Sequence, residues 1–330
     1  MFGVALQGNK TPAEYAALAQ LIDGYAFDVV SVYNDLLFQP ALGPLLWMAP
    51  HLHRAQRIGP AALNPYLMHP VELAGQAALL DLATDGRAYL GLARGAWLQD
   101  RLGIDQARPV TALREAVLLI RHLLAGRAEP FRGKLFSCAE RSVLQYPRRR
   151  CAVPISIGTW GAATARMAGE LADELKVGGS ANPALVAHLR PMLAEGSQRA
   201  GRPAEAVGIC LGAVTVIDDD RQAARALARR EVAPYLSVVA KLDPSTDPEW
   251  LGRIEDAAHR NDYDCIASNV SDAVLDRFTF AGNADDLIRQ VETIFDAGAT
   301  RVEFGTPLGR QPHVALRVLG ERVLPAFGRP

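Results

Sequence analysis

Eight times along the chain, a short run rich in β-branched and apolar residues gives way to a longer stretch with helical periodicity. The runs fall at 2–6, 28–33, 57–63, 88–92, 153–157, 174–177, 207–217 and 301–305. Strands separated by helices pair in parallel, because only a crossover of a dozen or more residues brings the chain back in the same direction. Local signals mark the helix starts. Thr11-Pro12-Ala13-Glu14 is a capping box with proline at the first helical position, His69-Pro70 opens another helix, and Asn283 with Asp286 caps the last one before the turn at Gly298. An open doubly wound sheet would satisfy the same alternation. The count of eight, and the lack of a GxGxxG after the first run, favour a closed α/β (β/α)8 TIM barrel. A less regular stretch near 126–152 reads as an insertion, and a polar, proline-bearing segment near 241–276 reads as a second insertion or lid. The 330 residues, 49% of them hydrophobic, suffice for one such domain over 1–330.

Composition excludes several partners. The 35 basic and 36 acidic residues nearly cancel, so neither nucleic acid nor an anionic membrane should be attracted, and small molecules are the expected partners. Cys138, Cys151, Cys210 and Cys265 are scattered, with no CxxC pair and no histidines at metal spacing, so neither a disulfide framework nor a metal site is expected. The absence of an apolar leader or bilayer-length run points to a cytoplasmic protein.

In a parallel barrel the functional groups stand just after the C-terminal ends of the strands. After the second run come Tyr33, Asn34 and Asp35, polar groups that could handle protons, although Asp35 could also simply cap the next segment. After the third, Ala61, Ala62 and Asn64 lie among small residues and prolines that would let a flat ligand approach the backbone. Arg94, Gly95 and Trp97 follow the fourth run, suiting an anion and an aromatic face. After the fifth, Gly158-Thr159-Trp160-Gly161-Ala162 is a glycine-bracketed turn entering a helix, where free N–H groups and the helix dipole favour phosphate. The alternative is a tight turn that binds nothing. Val177 ends the sixth run and Gly178 follows it. No triad, HExxH, P-loop or carboxylate cluster is present, so the chemistry must come from an organic cofactor.

Taken together, Asn64-Pro65-Tyr66-Leu67-Met68-His69-Pro70, Gly86-Arg87-Ala88-Tyr89-Leu90-Gly91-Leu92-Ala93-Arg94-Gly95, Pro154-Ile155-Ser156-Ile157-Gly158, Ala168-Gly169-Glu170-Leu171-Ala172-Asp173, Ala297-Gly298 and Phe304-Gly305-Thr306-Pro307-Leu308-Gly309 span nearly the whole chain. The set resembles the luciferase-like flavin and deazaflavin oxidoreductases, and most nearly their methylenetetrahydromethanopterin reductase branch. The resemblance implies a barrel that binds the 5-deazaflavin coenzyme F420 or, alternatively, FMN. It places the ring against Ala61, Ala62 and Asn64, with a non-prolyl cis peptide at Ala61-Ala62. The tail lies on Arg94 and the turn from Gly158 to Ala162, with Gly95, Val177 and Gly178 nearby. Tyr33, Asn34, Asp35 or a water would supply protons. It also implies a homo-oligomer.

The implied activity is hydride transfer between reduced deazaflavin and a C=N or activated C=C bond of a small substrate, methylene-tetrahydropterin-like or an imine. An FMN-dependent monooxygenase or reductase is the alternative, and a non-catalytic cofactor-binding barrel is a second. Departures weigh on the pterin substrate more than on the cofactor. Ala5 and Ala96 stand where the branch carries acids, and Asn34-Asp35 replaces its Asp-His.

Overall fold

A computed structural model describes residues 1–329. Its strands are β1 (Phe2–Leu6), β2 (Val29–Val32), β3 (Arg57–Pro60), β4 (Leu90–Ala93), β5 (Phe131–Arg132), β6 (Ser137–Cys138), β7 (Ile155–Gly158), β8 (Glu174–Gly178), β9 (Gly208–Ile217), β10 (Thr279–Gly282) and β11 (Arg301–Leu308). The parallel order runs β3-β2-β1-β11-β9-β8-β7-β4. Bridges between Ile58 and Ala88 and between Leu63 and Leu92 join its two ends, so eight strands close a TIM barrel with helices on the outside. The expected capping boxes at Thr11/Glu14 and Asn283/Asp286 are both formed. The helix Ala284–Asp296 buries Leu287, Val291 and Ile294, spaced so that one stripe faces the sheet.

Two features go beyond the sequence reading. The segment 241–276, expected as a polar insertion or lid, is helical. It folds into the helices Pro248–His259, Tyr263–Ser268 and Asp272–Phe278, begun by Asp247, Asp262 and Ser271, whose side chains accept N–H bonds from the first turn. Trp250, Ile254, Ile266 and Leu275 build a second small core there, against Ala228, Val232 and Leu236 of the helix Arg221–Val239. A ninth parallel strand, β10, comes next. It pairs Thr279 with Val214 and Gly282 with Ile217, taking up the edge of the ten-residue β9 beyond the point where β8 stops at Gly212. The stretch 126–152 is indeed largely irregular, tied by the antiparallel pair β5–β6. Among the described residues, no helix is long and apolar enough to cross a membrane.

Candidate active site

Strand periodicity of two decides what enters the barrel. On β8, Leu175 and Val177 pack outward into the core while Glu174 and Lys176 turn inward. On β11, Val302 and Phe304 go outward while Arg301 and Glu303 turn inward. The interior therefore holds four buried charges that sum to zero. Arg301 makes two hydrogen bonds to Glu174, at 2.8 and 2.7 Å, and one to Glu303 at 2.7 Å. Lys176 donates to the other oxygen of Glu303, Ser31 donates to Glu303 at 2.8 Å and Ser156 donates to Glu174 at 2.9 Å. Gly3 leaves the room this needs, since a Cβ there would lie 2.8 Å from Arg301 Nη1.

Burial by itself would raise the pKa of Glu303, but Lys176 and Arg301 outweigh it and pull the carboxyl down to about 2. Glu174 is lowered too, again against burial, chiefly by Arg301. A depressed carboxylate contributes stability that is full above its unfolded pKa and lost as pH falls toward the folded one. For Glu303 that window runs from about 4.5 down to about 2, and the linked stability is about 3 kcal/mol. Unfolding free energy measured by urea titration should therefore be level above about pH 5 and drop steeply between pH 4.5 and 2. A flat profile across that interval would refute the linkage.

Above this layer, at the C-terminal ends of the strands, opens a cavity of about 410 Å³ with Lys176 on its wall, within the usual range for a small-molecule site. Tyr33, Asp35, Ala61, Trp97, Gly178 and Tyr235 share that wall. So do Thr306 and Pro307, where β11 slips register against β9 and the Thr306–Pro307 bond is cis. Lys176 Nζ lies 5.1 Å from the centre of the Tyr33 ring. Burial first, then Glu303 and Asp35, drive the Tyr33 hydroxyl well above its ordinary pKa, so it keeps its proton. Burial also raises Asp35, which accepts a 3.1 Å hydrogen bond from Gln7.

The expected residues divide by position. Tyr33, Asp35, Ala61 and Gly178 reach the cavity, and the Ala61–Ala62 peptide is cis as anticipated. Gly158 to Ala162 form the turn beside it. The Trp160 indole donates to the Gly178 carbonyl at 3.0 Å, and Gly161 N–H bonds to Thr159 Oγ1 at 2.9 Å. The helix Ala162–Leu171 begins with no side-chain cap and no acid in its first turn, leaving N–H groups for an anion.

Other expected residues are not on the wall. Asn34 accepts the Ala41 N–H at 2.9 Å, and Asn64 accepts the N–H groups of Tyr66 and Leu67, so both hold loops together. Val177 is wholly buried in the outer core, because alternation sends it away from the barrel axis. Arg94 is exposed and its neighbour Gly95 has φ +80°, with a Cβ there 2.6 Å from Asn64 Nδ2; neither lines the cavity. Lys176, Gln7, Glu231, Tyr235 and Phe278 were missed. The first could have been found: a lysine and a glutamate at alternate positions of an otherwise apolar parallel strand must face inward together.

Residues 2–301 match the family described as luciferase-like monooxygenase. The chain is 25% identical to the 5,10-methylenetetrahydromethanopterin reductase of Methanopyrus kandleri, over 99% of this chain and 98% of the relative. A solved structure of the coenzyme F420-dependent tetrahydromethanopterin reductase from that organism superposes with a TM-score of 0.88, covering 99% of both chains at 25% identity. The F420-dependent glucose-6-phosphate dehydrogenase of Nakamurella multipartita is 28% identical, over 95% of this chain and 92% of the relative.

Proposed function

The chain belongs to the luciferase-like monooxygenase family, and from that premise we propose that it is a deazaflavin-dependent oxidoreductase. It moves hydride between reduced coenzyme F420 and a C=N or activated C=C carbon of a small substrate, such as an imine or a methylene-tetrahydropterin. One observation carries the reading. An uncapped helix N-terminus at Gly161 stands beside a cavity whose wall at Ala61 is reduced to a methyl group, with Ala62 off the wall. The first suits a phosphate and the second a flat ring, so these residues fit the cofactor. The F420-dependent relatives lend support.

When bound, the reduced deazaflavin supplies the hydride. The N–H groups of Ala162 and Ala163 would hold the phosphate, with Thr159 already engaged by Gly161 and shaping the turn. Ala61 and Gly178 would leave space for the ring and substrate, and the surrounding side chains would exclude water. With Ala5 and Ala96 at the positions where related reductases carry acids, proton handling falls to Asp35, whose raised pKa brings it closer to working pH. Tyr33 retains its proton and serves as a donor.

FMN shares the tricyclic ring and ribityl phosphate, so both cofactors belong in the test. In equilibrium titration F420 should bind at least ~100-fold more tightly than FMN, and an added cyclic imine should reoxidise the reduced F420 complex in a stopped-flow trace. Preference for FMN with turnover would replace this assignment by the flavin reading. Binding of either cofactor without turnover would favour a non-catalytic barrel.

A further inference from the structure

The charges on the cavity wall are unbalanced. Among the described residues the wall has one cation, Lys176, which is committed to Glu303, and within the barrel Arg301, Lys176, Glu174 and Glu303 cancel. Asp35 and Glu231 also line the cavity, and among the described residues neither forms an ion pair. The Asp35 carboxylate has the Gln7 amide as its hydrogen-bond partner, and Lys176 acts on it only through space, beyond ion-pair distance. Gln7 is itself 6% exposed, on the same wall, and its Oε1 accepts no hydrogen bond. Unmatched carboxylates in a half-enclosed space are costly to desolvate and attract positive charge.

The rest of the wall has a matching character. Tyr33, Phe38, Trp97, Tyr235 and Phe278 surround the same space, with the Trp97 and Tyr235 rings 6.2 Å apart. Ring faces carry negative potential and favour cations, above all weakly hydrated ones such as substituted ammonium or iminium nitrogens. Both carboxylates also lie near enough to Tyr235 to add to the effect of burial in raising its pKa. A phosphate held at the Gly161 turn would lie off the cavity wall, apart from a cation seated between these carboxylates.

We propose that the substrate carries a positively charged nitrogen, an iminium or protonated amine, seated between Asp35 and Glu231 within the aromatic wall. This substrate class rests on the oxidoreductase reading for its chemistry, but its binding does not depend on turnover. Anionic acceptors such as sugar phosphates are disfavoured by the same charges.

The test uses three small aromatic probes of similar size: N-methylpyridinium (cation), toluene (neutral) and benzoate (anion). Each is titrated by calorimetry into the full-length protein, with and without saturating F420. N-methylpyridinium should bind at least ~10-fold more tightly than either of the others. The preference should shrink severalfold in Glu231→Gln and vanish in Asp35→Asn/Glu231→Gln. Thermal unfolding midpoints check folding, and if the double variant is unfolded the half-exposed Glu231→Gln decides alone. Equal binding of the three probes by the wild type, tighter benzoate binding, or a cation preference unchanged in Glu231→Gln would overturn the proposal. Failure of every imine to turn over with reduced F420 would remove the oxidoreductase reading and leave this binding contrast as it stands.

Discussion

Arg301→Met is expected to lower the unfolding free energy by about 3–5 kcal/mol. The guanidinium is 1% exposed and bonds to two carboxylates, Glu174 and Glu303. Methionine fills similar volume, so the loss comes from charge rather than from a cavity. Glu174 would keep only the Ser156 hydroxyl, while Glu303 would keep Lys176 and Ser31, and the barrel interior would carry an uncompensated negative charge. Adding Glu174→Gln should recover much of the deficit, because it removes the orphaned charge. By contrast, Arg253→Ala, which breaks the exposed pair with Glu249, should cost under about 0.5 kcal/mol. Urea unfolding followed by circular dichroism measures all three. A loss below about 1 kcal/mol for Arg301→Met would mean that the interior charges are not coupled as described.

The second large effect concerns Gly161→Asp. Gly161 is the N-cap, with extended backbone at φ −91°, and a Cβ there meets nothing closer than Thr159 Oγ1 at 3.7 Å. Aspartate fits that conformation and is among the best N-caps; glycine is already a fair one, so the helix should gain only about a few tenths of a kcal/mol. Its carboxylate would also occupy the N–H groups assigned to the cofactor phosphate and repel the anion. Two like charges about 4 Å apart interact by a few kcal/mol at an effective dielectric near 20, so affinity for F420 should fall ~100-fold. Stability and binding thus move in opposite directions, which separates the site from any folding defect. Gly161→Ser, a cap without charge, should weaken binding far less. Unchanged F420 affinity in Gly161→Asp would displace the phosphate from this turn.

The barrel was legible because each strand run ends in a turn or cap with its own chemistry, as at Thr11/Glu14 and Asn283/Asp286. The strand β10 was not. Its four residues are squeezed between the end of the helix Asp272–Phe278 and the cap at Asn283, too short for alternation to register, and their pairing depends on β9 outrunning β8. The helices of 248–278 did not stand out within the polar insertion at 241–276 because their apolar face covers only a small satellite core. In the site, Tyr33, Asp35, Ala61 and the Gly161 turn are direct consequences of where strands end. Asn34 and Asn64 occupy equivalent positions, but their amides satisfy nearby backbone N–H groups. The error at Val177 was one of parity: a shift of one residue along β8 exchanges core for barrel interior, and Lys176 is the residue that faces the cavity. Glu231 and Tyr235 come from the long helix Arg221–Val239, whose approach to the mouth depends on how it packs over the barrel.

The account stands most directly on where the cofactor sits. A crystal of the protein soaked with F420 should place the phosphate on the N–H groups of Ala162 and Ala163 and the ring against Ala61–Ala62, facing Asp35. A ring lodged outside the cavity of about 410 Å³, or a phosphate bound away from the Gly161 turn, would contradict it.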